Sequence, residues 1–216
     1  MIFSTPEGQL EFTPERLIIA GWTGRDTSAV RHHIDELALL GVAPPSTTPL
    51  FYRVSPSLMT QADSLDVLGE QTSGEVEPLL IRSGGKLWLG LGSDHTDRGL
   101  EATSVAHSKQ VCGKPISDSL WSVGNKTDFD SIQLKSWAKI RGVWQLYQDG
   151  TLSTIWPLHE LTRSIGLRDG DAMLCGTLPA IGGIRAADAF KIEMIDPQSG
   201  QGINHQYSVR RMELIK

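Results

Sequence analysis

Three acidic side chains offer the most direct chemistry in this sequence. Glu75 and Glu77 are separated by Val76, and Asp94 opens the segment Asp94-His95-Thr96-Asp97-Arg98. In an extended strand alternate side chains share a face, so Glu75 and Glu77 point the same way. Leu79 and Ile81 continue that face, which turns apolar within one residue pair. Like charges at the edge of an apolar surface need water or a cation to balance them, and a hard divalent ion on carboxylate oxygens is one solution. Taken alone, a Glu-x-Glu is most often a solvated strand end. A second pair, His33 and Glu36, is spaced i, i+3 on a helical pattern. A carboxylate there raises imidazole basicity and suits it to general-base work, whereas the plainer reading is an exposed ion pair.

Several elements must position these groups. A helix is expected from Asp26 or Thr27, as N-cap, to Gly41, with Val30, Ile34, Leu37 and Ala38 as its apolar stripe. Short strands are expected at 17–21 and 50–54, after a strand pair within residues 2–15 that turns at 5–8. The acidic strand pairs with 86–91 through Ser83-Gly84-Gly85. A turn centred on Gly84 sets Glu75 opposite Ser93 and Glu77 opposite Leu91, close to Asp94. Residues 100–110 read as one helix carrying Lys109, and 131–137 as a strand. Asp149-Gly150 reads as a hairpin turn between 144–147 and 151–152. A helix at 157–166 begins with Pro157 and ends at Gly166. The strand at 172–175 runs into the glycine-rich loop 176–183, and two strands, 189–195 and 205–213, close the chain.

The whole chain bounds the answer. At 216 residues it fits a single domain, 1–216, with a substantial core. A formal charge of −5 and no basic cluster beyond Arg210-Arg211 speak against nucleic acid as a partner. No apolar run approaches a membrane span, and the first residues lack a signal-peptide pattern. Cys112 and Cys175 make neither a disulfide framework nor a zinc pattern, so a reducing cytoplasm is expected. His95, a loop histidine near acids, reads as solvent-facing or as a neighbour of the carboxylates.

In this order the pieces resemble the fumarylacetoacetate hydrolase superfamily over about residues 17–195. Gly21 through His33-x-x-Glu36 is similar to its GxNYxxHxxE region, with longer Gly-to-His spacing. Pro49-Leu50-Phe51-Tyr52-Arg53-Val54-Ser55-Pro56-Ser57 is similar to PxxFxKxPS, with Arg53 in the place of Lys. Glu75-Val76-Glu77 resembles the metal-binding Glu-x-Glu, and Ser93-Asp94-His95-Thr96-Asp97-Arg98 resembles NDxTARD. Lys109 stands for the Lys of KSxDxFxPxGP, and Leu167 to Ala180 is similar to LxPGDxIxTGTPxG. More narrowly, the chain resembles the DUF2848 family. Ser93, Gly99, Cys112 and the loop 178–183 depart from the superfamily pattern on the substrate side.

The resemblance implies an α+β, β-rich fold, a mixed β-roll or barrel with a few flanking helices, and a homodimer. It implies Mg²⁺ or Mn²⁺ held by Glu75, Glu77 and Asp94, and a 2-oxo acid or 1,3-dicarbonyl (acylpyruvate-like) substrate. His33, held by Glu36, would activate water, and Lys109 would stand beside the developing oxyanion. Thr177 and the backbone at Gly176 would bind substrate oxygens, and Arg53, if it faces the site, a second carboxylate. C–C hydrolysis ranks first among the reactions implied, ahead of decarboxylation, hydration or isomerisation on the same site. A member that binds metal or ligand without turnover is the competing expectation.

Overall fold

The computed structural model describes residues 1–39, 41–124 and 127–213, the side chains of His33 and Leu37 excepted. The chain opens with a hairpin of β1 (Ile2–Thr5) and β2 (Gly8–Glu11), then β3 (Arg16–Gly21), helix α1 (Thr27–Leu39) and β4 (Leu50–Val54). Short strands β5 (Met59–Thr60), β6 (Ser64–Leu68) and β7 (Thr72–Ser73) lead to β8 (Val76–Ser83), β9 (Lys86–Ser93) and β10 (Thr96–Asp97). Helices α2 (Arg98–Glu101) and α3 (Val105–Gln110) precede β11 (Lys114–Pro115), β12 (Trp121–Ser122), β13 (Gln133–Ile140) and β14 (Val143–Thr151). Helix α4 (Leu158–Ile165) and strands β15 (Asp171–Leu174), β16 (Ala189–Ile195) and β17 (Gly202–Met212) complete it. Among the described residues no helix is long and apolar enough to cross a membrane.

Two mixed sheets carry the architecture. One is ordered β12-β9-β8-β15-β3-β4, the other β14-β13-β16-β17-β6. They face each other across a core in which Val76, Leu80, Leu91 and Met173 of the first meet Leu134, Ile192, Met194 and Ile203 of the second. The outer face of the first sheet is covered as well: Leu79, Ile81, Ile19 and Leu174 pack beneath Phe3, Phe12, Ile116 and Leu120. Burial on both faces explains why β8 and β15 read as near-continuous apolar runs. The fold is α+β and β-rich, as the resemblance implies.

Three local expectations are corrected. The β8–β9 turn holds two residues, Gly84 and Gly85, both at positive φ (60° and 73°), so Ser83 pairs with Lys86 and Glu77 with Gly92. Asp94 donates its N–H to the Glu75 carbonyl at 3.0 Å. A one-residue slip inverts faces, so this register, and not the expected one, sets Asp94 on the glutamates' side of the sheet. Residues 100–110 form two short helices because Ser104, extended at φ −162° and ψ 112°, restarts the helix as an N-cap accepting from His107 N–H. Asp149-Gly150 is no turn. Strand β14 runs through it, and the β13–β14 hairpin bends at Arg141-Gly142, whose φ values are 51° and 80°. Gly150 instead permits a close approach, since a Cβ there would stand 3.2 Å from Leu178 Cδ1.

Helix α1 forms where expected. The Asp26 carboxylate accepts from the N–H groups of Ser28 and Ala29 at 2.9 and 3.2 Å. Its apolar stripe is only half realised: Val30 and Ile34 are half-buried, Ala38 is exposed, and Leu39 is 89% exposed.

Candidate metal centre

The start of β8, the end of β9 and the turn after β15 converge at one end of the first sheet's central strands. There Glu75, Glu77 and Asp94 each offer a carboxylate oxygen, all within 4.8 Å of one another. Asp94 and Glu77 are buried, while the Glu75 side chain keeps 16% exposure. Gly92 and Gly176 leave room on this face. A Cβ on Gly92 would stand 2.8 Å from Leu174 Cδ2, and one on Gly176 would fall 1.7 Å from Thr23 Oγ1. Gly176 also sits at φ 101°, and in that conformation its N–H donates to Glu77 Oε2 at 2.8 Å.

Cations surround the carboxylates unevenly. Lys109 Nζ donates to Asp94 Oδ2, and Lys114 Nζ lies 2.9 Å from Asp94 Oδ1 while donating to the His95 carbonyl at 2.5 Å. Arg98 is shared between Glu75 and Glu101, at 3.0 Å from each. Burial would raise the Asp94 carboxyl, but the two lysines hold it well below the ordinary carboxylate range. Burial likewise opposes the charge on Lys109, yet Asp94, Glu75 and Glu77 keep it a firm ammonium.

Residues 20–207 match the family described as a protein of unknown function, DUF2848. The chain belongs to the DUF2848 family. No curated protein matches it. Its fold is shared with solved structures at low identity. Cg1458 with an inhibitor is 20% identical, with 93% of this chain and 78% of that chain covered and a TM-score of 0.68. A 2-keto-3-deoxy-D-arabinonate dehydratase complexed with magnesium and 2,5-dioxopentanoate is 16% identical, with 93% and 75% covered and a TM-score of 0.63. A 5-carboxymethyl-2-hydroxymuconate delta-isomerase from Mycobacterium smegmatis is 16% identical, with 94% and 81% covered and a TM-score of 0.63. The fold is that of the fumarylacetoacetate hydrolase superfamily.

The donor set of this DUF2848 protein fits a hard divalent cation. Glu77 is the deciding residue. Burial first, then the charges of Asp94 and Glu75, push its carboxyl well above the ordinary range. The Lys109 charge opposes that rise, but among the described residues no lysine or arginine forms a salt bridge with Glu77, and its Oε2 receives the Gly176 N–H. A buried carboxylate left in that position calls for a cation, and an all-oxygen set suits Mg²⁺.

Other residues singled out from the sequence fall in different places. Lys109 is at the centre, and its Nζ also lies 5.8 Å from the Tyr52 ring centroid. The Gly176 N–H is occupied by Glu77, and the Thr177 hydroxyl donates to the Val76 carbonyl at 2.8 Å while accepting from Gln148 Nε2 at 2.7 Å. Both therefore brace the acidic strand. Arg53 is exposed and alternates with Tyr52, so it lies on the sheet face opposite the carboxylates. Glu36 is exposed on α1, 3.3 Å from His32 Nε2; the His33 side chain lies outside the described residues.

Lys114 and Gln148 escaped the sequence reading, and of the two places expected for His95 the structure gives the one beside the carboxylates. Lys114 follows Lys109 by five residues, a spacing that signals nothing until α3 ends and the chain turns back. His95 is fully buried, its Nδ1 3.1 Å from Tyr207 Oη and its Nε2 2.9 Å from Thr72 Oγ1. Burial, with Lys114 and Arg98 nearby, pushes the imidazole down to about 3, so it is neutral rather than solvent-facing. Gln148 was hidden by the mistaken turn. Cys112 is buried, its thiol pushed up by that burial to about 11, which disfavours the nucleophilic thiolate.

Proposed function

We propose that this protein is a divalent-metal-dependent enzyme acting on a 2-oxo acid or 1,3-dicarbonyl substrate through an enolate-like state. The observation that carries the reading is Glu77, a buried carboxylate that forms no described salt bridge and whose carboxyl is still pushed up despite the nearby Lys109, in one cluster with Glu75 and Asp94. The neighbour complexed with magnesium and 2,5-dioxopentanoate supports both the metal and the 2-oxo class. Glu75, Glu77 and Asp94 would hold Mg²⁺ or Mn²⁺, which when bound supplies Lewis-acid polarisation of a substrate oxygen. Lys109, protonated and beside Asp94, would place positive charge at the developing oxyanion and can give it a proton. Lys114 would fix the second Asp94 oxygen, and Arg98 would orient Glu75.

C–C hydrolysis of an acylpyruvate-like compound is the reaction we put first, with His33 and Glu36 activating water. Isomerisation or dehydration is the second reading. It is favoured by the position of Lys109 within the centre, against the exposed helix that carries Glu36, because proton transfer inside the site needs no activated water.

One experiment separates them. Turnover of an acylpyruvate panel and of hydroxylated 2-oxo acids is measured with Mg²⁺ or Mn²⁺, for wild type and His33→Ala. Hydrolysis predicts a loss of roughly a hundredfold in His33→Ala with metal affinity retained. Unchanged turnover on the hydroxylated acids with no acylpyruvate cleavage selects the second reading. Metal binding without any turnover would leave a binding protein, and full activity in chelator would sink the metal reading.

A further inference from the structure

One buried side chain ties both sheets to the acidic cluster. Strands β13 and β14 pair in register as far as Ser136 with Gln148, but Trp137 then faces Leu146. Tyr147 is thus an extra residue, a β-bulge, and both Tyr147 and Gln148 are fully buried. Bulges re-aim side chains and recur beside active sites. Here the bulge sends the Gln148 carboxamide across the core to β8 and the turn after β15.

Every polar position of that carboxamide is used. Its Oε1 accepts from Val76 N–H at 3.0 Å and from Ser136 Oγ at 2.8 Å. Its Nε2 donates to Thr177 Oγ1 at 2.7 Å and to the Leu178 carbonyl at 2.6 Å. Val76 is the residue between the two glutamates. Thr177 follows Gly176, whose N–H holds Glu77 Oε2, and its own hydroxyl returns to the Val76 carbonyl. The backbone of the Glu-x-Glu strand and the turn that orients Glu77 therefore meet in one amide group.

We infer that Gln148 is a positioning residue of the metal centre, setting the separation of the Glu75-Val76-Glu77 backbone from the Gly176-Thr177 turn. It touches neither ligand oxygen. Its action runs through Val76 on one side and through Thr177 and Gly176 on the other. A ligand held by such an outer partner binds its metal about 10- to 100-fold more tightly than one left to find its own place. An aliphatic side chain at this position would leave Val76 N–H without its acceptor and Thr177 Oγ1 without its donor, freeing the turn to shift against the strand. The inference rests on the metal reading of Glu75, Glu77 and Asp94.

The test is Mn²⁺ affinity of the full chain by calorimetry and Mn²⁺ electron paramagnetic resonance, for wild type, Gln148→Met, Thr177→Val and Ile203→Ala. Gln148→Met keeps length and loses all four hydrogen bonds. Affinity should fall about 10- to 100-fold in Gln148→Met and by less in Thr177→Val, with a broadened Mn²⁺ signal. Ile203→Ala removes a core side chain that makes none of these bonds; it should lower thermal stability and keep Mn²⁺ affinity within about twofold of wild type. Affinity unchanged in Gln148→Met, or lost equally in Ile203→Ala, overturns the positioning role while the metal reading stands. Wild type that binds no Mn²⁺ overturns both. If Gln148→Met does not fold, Thr177→Val alone decides, since it cuts one arm of the clamp at the half-buried end.

Discussion

Helix α1 and the β8–β9 hairpin carry the two residue pairs with the plainest chemical signatures, and they could hardly be placed more differently. The helix has a capping aspartate, a helical stripe and a glycine after its end, yet among its described residues none is buried. The hairpin offers only a Glu-x-Glu and two glycines, yet Glu77 and Asp94 lie buried within 4.8 Å of a third carboxylate. Local signals report which backbone conformation forms. Burial reports where charge has consequences, and it depends on partners distant in sequence. A carboxylate on α1 is stabilised by water, whereas one on β8 must be matched by Gly176 and by lysines from the segment after α2.

The largest test of that contrast is Glu77→Gln. The amide keeps shape and removes the buried charge. Metal-dependent turnover should fall by a factor of about a thousand or more, as expected when a ligand carboxylate to a Lewis-acid ion is lost. Wild type at a Mg²⁺ concentration near 100 times its Kd should gain about 2.7 kcal/mol, roughly 5–10 °C in Tm, and the variant almost none. A Mg²⁺-induced shift that survives Glu77→Gln would break the comparison at its base.

How much was legible in the sequence follows the same division. The order of strands, α1, α4 with its Pro157 start and Gly166 stop, and the Glu-x-Glu hairpin are all local or motif-borne, and they stand. The register was one residue out because a centre of symmetry on Gly84 ignores that a two-residue turn pairs odd with even positions. Asp149-Gly150 carried the composition of a turn, but Gly150 is small to admit Leu178, a demand made from nearly thirty residues away. Lys114 and Gln148 were illegible for that reason too. Each gains its role from a partner across the sheet, and no spacing along the chain announces it.

A second contrast tests stability. Leu79→Ala removes a fully buried side chain on the face that carries the glutamates and should cost about 2–5 kcal/mol in denaturant unfolding. Asp26→Ala, which removes the α1 cap, should cost about 1 kcal/mol. Equal costs would mean that α1 is packed far more tightly than its exposure indicates.

The smallest effect compares two arginine–aspartate pairs, one between β3 and β15 in the sheet that holds the hairpin and one beside α1. Arg16 grips Asp171 through two hydrogen bonds, and the Asp171 side chain is wholly buried. Arg25 meets Asp130 at 2.7 Å through both nitrogens, but the Asp130 side chain is 51% exposed. Desolvation would raise the Asp171 carboxyl, yet the Arg16 hydrogen bonds and the Arg168 N–H hold it below its ordinary value. A carboxyl depressed in the folded state stabilises above its unfolded value, about 3.9, and that contribution is lost as pH falls through the folded value. Asp171→Asn should therefore cost about 1.5–3 kcal/mol at pH 7, with wild-type and variant curves converging in acid below about pH 4. Asp130→Asn, at an exposed pair, should cost less than about 1 kcal/mol, and added salt should erase most of it. Unfolding free energies measured from pH 7 to pH 2.5 at low and high salt decide the matter. A pH-independent gap for Asp171→Asn would mean that packing rather than charge holds β15 in place beside β8.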